Sequence, residues 1–352
     1  MGRHSELDDQ RIPVGISACL MGREVRHDGG HKHSRYCTGV LADYFRFRSL
    51  CPEMGAGLST PRPAMHLVDS DRGVRLRATR GERDFTDLMN GFVTGALDGL
   101  ADLRGFVLMA KSPSCGMERI RVYREDGEVA RRDASGLFAA ALLARYPLMP
   151  VEEEGRLNDD RLRENFVERV FVYDDWCRLC EREGGLTAKA LIEFHSRHKF
   201  QLLAHCQATY RRLGPLLADL KTRPLNDIAD DYIHAFMPAM AKRISPGAHV
   251  NTMLHLMGFL RDELGEQDRA AIHEQIDAYL RGEVPLVVPM TMLRAAQSKV
   301  EQPYLATQQY LRPYPDALGL RNRVGKRSRT VTAHRRGPGT APCTRCPCGP
   351  GD

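Results

Sequence analysis

The sequence predicts an α/β N-terminal domain, built on an open and mainly parallel sheet, with an all-α C-terminal domain after it. Three observations lead there. Short apolar runs, among them Ile12-Pro13-Val14-Gly15-Ile16 and Gly105-Phe106-Val107-Leu108-Met109, end in turn formers and alternate with helix-period segments. From Asn158 onward, apolar residues recur at spacings of three and four without strand alternation. Between these regions, Glu152-Glu153-Glu154-Gly155 reads as a boundary. A chain of 352 residues is also long for one core. The domains are therefore set at 1–154 and 155–324. Residues 325–352, rich in Gly, Pro and Arg, read as a basic disordered tail.

The elements follow in order. Ile12–Ile16 is a strand that stops at Ser17-Ala18-Cys19, and Arg23–Cys37 is a loop rich in Gly, His and Arg. Leu41–Phe47 has the spacing of a short helix, and a weak strand reaches Leu50-Cys51. Pro52–Pro63 is a loop. Asp84 is a candidate N-cap for a helix carrying Phe85, Leu88, Phe92, Ala96 and Leu100 on one stripe. Gly105–Met109 is the next strand, Ile120–Ala130 a hairpin around Asp126-Gly127, and Leu137–Tyr146 a helix. Leu148–Val151 is a last strand. In the second domain Asn158 or Asp159 caps a helix through Phe171. A longer one runs from Thr187 to Leu213, where Gly214-Pro215 stops it. Further helices cover Asn251–Leu264 and Asp268–Leu280. Val284–Val288 is an extended connector, Pro289 starts a last helix, and Tyr304–Tyr314 docks.

The net charge of +6 comes mostly from the tail. Residues 325–352 hold six Lys/Arg and one Asp, which leaves 45 basic and 44 acidic residues in 1–324. Global charge thus gives no argument for a nucleic-acid partner; a local patch would have to. No apolar run approaches the roughly 18 residues of a membrane span, and Met1–Gln10 is polar, without a signal-peptide core. The expectation is a cytoplasmic protein with no membrane partner. In a reducing compartment its ten cysteines are free thiols or metal ligands rather than disulfides.

Most free cysteines are small buried hydrophobes, and Cys177, Cys180 and Cys206 are read so. Cys177-x-x-Cys180 lacks a second pair at zinc-site distance, and Cys343, Cys346 and Cys348 have nothing near them to fold around a metal. Cys19, Cys51 and Cys115 differ, because each sits at the end of an expected strand, beside Ser, Pro or Gly. In open α/β sheets that is the ligand-binding edge. Three thiolates on one rim suit an iron–sulfur cluster. A cluster held by three cysteines keeps one iron open as a Lewis acid for a soft atom such as sulfur. The rival is a cysteine nucleophile, with His27, His31, His33 or His66 as its base. Glu53, facing such a site, is a candidate general acid/base, and Ser112 lies three residues before Cys115. Lys111, Asp28 and Arg62 are candidates for substrate contact. No Gly-x-x-x-x-Gly-Lys-Ser/Thr loop is present, so no ATP-driven sulfur insertion is expected.

Ser17-Ala18-Cys19-Leu20-Met21-Gly22, Val25-Arg26-His27-Asp28-Gly29, Cys51-Pro52-Glu53, Thr60-Pro61-Arg62-Pro63 and Lys111-Ser112-Pro113-Ser114-Cys115-Gly116 together resemble the thiouracil desulfidase family, over about residues 10–150. Gly155–Asp159, Arg163–Phe166, Phe194–Lys199 and Val250-Asn251-Thr252 resemble the α-helical partner domain of two-domain members, which are similar to tRNA 4-thiouridine desulfidases. The resemblance implies a [4Fe–4S] cluster on Cys19, Cys51 and Cys115, whose open iron takes the substrate sulfur. Glu53 would be the acid/base and Ser112 would orient the water or the pyrimidine. It further implies hydrolysis of 4-thiouridine in tRNA to uridine and sulfide, with no redox partner. Free thiouracil or a thionucleoside is the alternative substrate, and a non-catalytic iron–sulfur or RNA-binding module the alternative role. Arg197, Lys199, Lys242 and Arg243 are the candidates for an RNA-binding patch, whereas His198, on the apolar stripe, is a core residue.

Overall fold

The computed structural model describes residues 11–300 and 302–323; the expected tail, 325–352, with Cys343, Cys346 and Cys348, lies outside the described residues. Eight strands precede the helical region: β1 (Ile12–Ser17), β2 (Phe45–Leu50), β3 (Met65–Ser70), β4 (Gly73–Ala78), β5 (Phe106–Leu108), β6 (Ile120–Tyr123), β7 (Val129–Ala134) and β8 (Val151–Glu153). They form two sheets of four. The first, in the order β2-β1-β5-β8, is parallel throughout. The second, β4-β3-β6-β7, joins two antiparallel pairs through a parallel β3–β6 pairing. A one-turn helix α1 (Pro52–Gly55) and the helices α2 (Thr86–Asp98) and α3 (Leu137–Arg145) complete this half.

Several details depart from expectation. Leu41–Phe47 is not a helix: a single 3₁₀ turn, Leu41–Asp43, gives way to β2 at Phe45. Phe45-Arg46-Phe47-Arg48 alternates apolar and charged residues, the period of a strand. β3 and β4 fill a stretch for which the sequence reading gives no element. On α2 the buried stripe is Met89, Val93 and Leu97, and Leu88 is exposed, because the helix turns its second apolar stripe to the core. Asp84 accepts from Thr86 N at 2.8 Å, just ahead of the helix. The Asp126-Gly127 hairpin forms as expected, with Gly127 at φ 88°.

The rest is helical: α4 (Asp160–Glu181), α5 (Ala188–His205), α6 (Gln207–Ala218), α7 (Leu225–Met240), α8 (Pro246–Leu260), α9 (Glu266–Arg281), α10 (Val287–Lys299) and α11 (Pro303–Ala306). Asp159 caps α4 by accepting from Arg161 N and Leu162 N. The long helix after Thr187 breaks earlier than expected. Cys206 is extended, at φ −157°, and α6 then runs straight through Gly214-Pro215. The sequence reading assigns nothing to α7, although Ile228, Tyr232, Ile233, Phe236 and Met240 form a helical stripe that is fully buried. The expected connector Val284–Val288 already enters α10 at Val287.

The two halves share a core. Ile12, Val14 and Ile16 of β1 and Val107 of β5 pack with Leu157, Phe166, Val167 and Val170 around α4, and with Tyr314, Leu318 and Leu320 near the chain's end. Farther into the helices runs a buried polar chain. Asp175 Oδ2 lies 2.7 Å from His198 Nε2, and His198 Nδ1 lies 2.6 Å from Gln201 Oε1. Gln201 Nε2 donates to Glu168 Oε1 at 2.8 Å, and Glu168 Oε2 meets His205 Nε2 at 3.3 Å. His198 is thus a satisfied core residue.

Burial alone would raise the Glu168 carboxyl, but the His205 ring, with Arg321 and Gln201, holds it down at about 2, from an ordinary 4.5. A carboxyl lowered by folding stabilises the fold above its unfolded pKa and stops doing so as pH falls through its folded one. Thermal stability should therefore decline as pH drops from 4.5 toward about 2, and Glu168→Gln should flatten that decline. Unfolding followed by circular dichroism across this range checks it.

Candidate active site

Parallel pairing brings three strand ends to one edge. Cys19 follows β1 in a 3₁₀ turn (Ala18–Met21), Cys51 follows β2, and the segment Met109–Met117 follows β5. A cavity of about 340 Å³ opens there, lined by Cys19, Cys51, Cys115, Glu53, Lys111 and Ser112 among others. The strand ends thus bring together the three thiols that the sequence singles out.

Their electrostatics show the convergence. Burial, with Cys51 adding to it, pushes the Cys19 thiol up to about 11. Cys115 is raised still more strongly by burial, then by Glu53, Cys51 and Cys19. Burial raises Cys51 as well. Thiols this hard to ionise become ligands only when a metal takes the place of the proton. Among the described residues no three His, Cys, Asp or Glu side chains close on one point, as a single metal ion would need. Three cysteines lining one cavity are a donor set that suits an iron–sulfur cluster. Cys37 is fully buried beneath the site and does not line the cavity.

Glu53 sits on α1, two residues past Cys51, and is 9% exposed. Its Oε2 accepts from Arg62 Nε at 2.8 Å and from a second Arg62 N–H, and its Oε1 accepts from the Ser114 hydroxyl at 2.8 Å. Arg62 also donates to Val25 O at 2.8 Å and Ser59 O at 3.2 Å. It lines the cavity, but its guanidinium is spent on the protein and acts as Glu53's fixed counter-charge. Ser112 Oγ accepts from Ser114 N at 3.2 Å and Cys115 N at 3.1 Å, which leaves its own O–H to donate. Lys111 has φ 61°, a left-handed conformation that costs a side chain energy and tends to occur at functional sites. Asp28 stays outside the cavity, exposed, and accepts from Gly30 N at 3.0 Å.

Three residues within these motifs carry no expected role in the sequence. Ser114 is fully buried and grips Glu53. Ser17 Oγ accepts from Met109 N at 3.0 Å and ties the ends of β1 and β5 together. Arg26 lines the cavity, as does His27, one of the histidines the sequence offers as a base.

The helical candidates do not form one free patch. Arg197 Nη2 is tied to Asp175 at 2.9 Å. Lys199 Nζ lies 4.7 Å from the Tyr304 ring centre and, with His195, Ser196, Tyr210 and Arg211, lines a second cavity of about 360 Å³. Lys242 Nζ contacts Cys206 Sγ at 3.2 Å, and Arg243 is exposed.

Residues 14–154 match the family model of 2-thiouracil desulfurase, and residues 199–315 match that of a protein of unknown function, DUF1722. The Escherichia coli protein YbgA, described as uncharacterized, is 31% identical over 167 residues, which are 47% of this chain and 98% of YbgA. The chain belongs to the YbgA family. The match to the 2-thiouracil desulfurase model lies in the α/β half and the match to DUF1722 in the helical half. Among solved structures, the [4Fe-4S]-dependent thiouracil desulfidase TudS is 29% identical, with 42% of this chain and 95% of that chain covered and a TM-score of 0.35.

The loop that carries Cys115 is packed directly against the start of α3. Leu137 N and Phe138 N, at the start of α3, donate to Pro113 O at 3.1 Å and Ser114 O at 3.0 Å. A Cβ on Gly136 would stand 2.5 Å from the Ser114 carbonyl carbon. Gly136→Ala should therefore cost about 1–3 kcal/mol by overpacking. Gly214→Ala, where an added Cβ meets nothing within 4 Å, should be neutral or slightly stabilising. Urea unfolding midpoints of the two variants make the comparison.

Proposed function

We propose that the chain hydrolyses the thiocarbonyl of a thiolated uracil, with 4-thiouridine in tRNA as the substrate, and releases uridine and sulfide. The observation that carries this reading is the meeting of three thiols, two of them buried, with a paired carboxylate and a serine hydroxyl around one cavity of about 340 Å³. Cys19, Cys51 and Cys115 would hold a [4Fe–4S] cluster, which when bound supplies an open Lewis-acidic iron for the thiocarbonyl sulfur.

The remaining chemistry belongs to the chain. Glu53, held by Arg62 and Ser114, accepts a proton from the attacking water. The water oxygen bonds to the thiocarbonyl carbon, the carbon–sulfur bond breaks, and both protons of the water end on the departing sulfide. Ser112 donates its hydroxyl to the pyrimidine, and Lys111, Arg26 and His27 at the mouth suit a phosphate flanking the base. No electrons are gained or lost, so the step needs no redox partner. Lys199 and Arg211, which line one cavity of the helical half, support RNA binding there. The compartment this implies is the cytoplasm.

A second reading rests on a different fact: every residue lining the site falls between Ser17 and Cys115. A free thiouracil or thionucleoside would need nothing from the helices. Rates on thiolated tRNA and on free 2-thiouracil decide between the two. A kcat/KM for tRNA that exceeds that for the free base and falls steeply with salt supports the RNA substrate; equal values insensitive to salt overturn it.

Protein purified without oxygen should bind iron and sulfide. Cys19→Ala, Cys51→Ala and Cys115→Ala should each lose iron, and Cys37→Ala and Cys177→Ala should keep it. Normal iron in the first three would end the cluster proposal. Glu53→Gln should keep the iron and lower kcat by about 10²–10⁴.

A further inference from the structure

Two consecutive carboxylates that the proposed chemistry does not use close on the loop that carries much of it. Glu154 Oε2 accepts from Ala110 N at 2.8 Å, and Glu153 Oε1 accepts from Met117 N at 2.9 Å. One amide lies just before Lys111 and the other just after Gly116. Glu153 is the last residue of β8 and Glu154 the first beyond it, so the end of this strand meets both ends of the loop. The neighbouring Glu152 serves elsewhere: it accepts from Arg156 Nε at 2.5 Å, and Arg156 reaches Glu118 at 2.6 Å. Of the three glutamates, Glu152 and Glu153 are thus buried in the edge strand of the first sheet, Glu154 follows it partly buried, and each carboxylate has its own partner.

The loop between these two contacts is tightly turned. Gly116 N donates to Ser112 O at 2.8 Å, and the Ser112 hydroxyl accepts from two further amides. Lys111 keeps its left-handed backbone at φ 61°. A non-glycine residue persists there only where its surroundings over-determine it, and an acceptor at each end of the loop supplies that constraint. A charged acceptor makes the stronger hydrogen bond to a backbone amide.

We propose that Glu153 and Glu154 are positioning residues, clamping both ends of loop 110–117 so that Cys115, Ser112 and Lys111 face Cys19, Cys51 and Glu53 across the cavity. The consequence for catalysis rests on the proposed function; the clamp itself does not.

The test is hydrogen exchange of the full-length chain as isolated, then iron uptake after anaerobic reconstitution, in wild type and in Glu153→Ala, Glu154→Ala and the corresponding Gln variants. Ala110 N should exchange at least about tenfold faster in Glu154→Ala, and Met117 N in Glu153→Ala, with α8 and α9 unchanged. The Gln variants keep an acceptor oxygen and should stay near wild type. Iron per chain should follow the same order. Wild-type protection at both amides in the Ala variants overturns the clamp. So does faster exchange spread evenly over the helices. If alanine unfolds the chain, Glu→Asp decides, since one methylene less should release the same amide that Gln retains; equal behaviour of Asp and Gln overturns the proposal. Full iron uptake and wild-type turnover in the Ala variants remove the positioning role. A wild-type chain that takes up no iron refutes the proposed function instead, and the exchange result still decides the clamp.

Discussion

Strands that pair in parallel end at the same edge of their sheet, and β2, β1, β5 and β8 pair in parallel throughout. Everything reactive in the first half follows from this. Cys51, Cys19 and the Cys115 loop leave neighbouring strands at one rim, and the carboxylates of β8 stand beside them. An antiparallel neighbour would send one thiol to the far edge. The sheet can hold this arrangement because β1 and β5 are buried on both faces, with Gly15 allowing close approach of Phe106: a Cβ there would lie 2.2 Å from that ring. The scaffold is rigid where the loops it supports must be placed accurately.

Within that frame the Glu53–Arg62 pair is the most constrained contact. Burying a carboxylate is costly unless it is paired and hydrogen-bonded. Glu53 has two N–H groups and a hydroxyl on its two oxygens, and Arg62, with a side chain only 4% exposed, is in turn held by backbone carbonyls. Removing one partner of such a pair commonly costs about 3–5 kcal/mol, because the other charge is left unpaired. A single carboxylate thus joins the Cys51 turn, the Arg62 loop and, through Ser114, the Cys115 loop. Arg62 lines the cavity while its guanidinium holds Glu53 and backbone carbonyls.

Much of the site was legible in the sequence, because an apolar run that stops at thiols and hydroxyls marks a strand end. Cys19, Cys51, Cys115, Glu53, Lys111 and Ser112 all line the cavity for that reason. What stayed hidden depended on partners distant in sequence. Ser114 becomes significant only through Glu53, 61 positions away, and Glu154 only through Ala110, 44 positions away. In the fold, the mixed second sheet went unread although Val74-Arg75-Leu76-Arg77 of β4 alternates as Phe45-Arg46-Phe47-Arg48 of β2 does. Residues 225–240 do show helical spacing, but Pro238 inside α7 masks it. The break at Cys206 has no proline or glycine to announce it. There the chain turns as α5 meets α8 in a shared core, a tertiary cause that local spacing does not carry.

The shared core also bears on how the halves work together. β1 is covered by Phe166, Val167 and Val170 of α4 on the way to the helices, and by Leu318 and Leu320 on the way back. Separating the halves would uncover these side chains, each worth about 1.5–3 kcal/mol when buried. The linker between the halves is no free tether, since β8 is a strand of the sheet and Arg156 is anchored to Glu152 and Glu118. The end of β8, with Glu154 just past it, touches both ends of the Cys115 loop. The geometry that fixes the site and the geometry that joins the two halves are the same few residues.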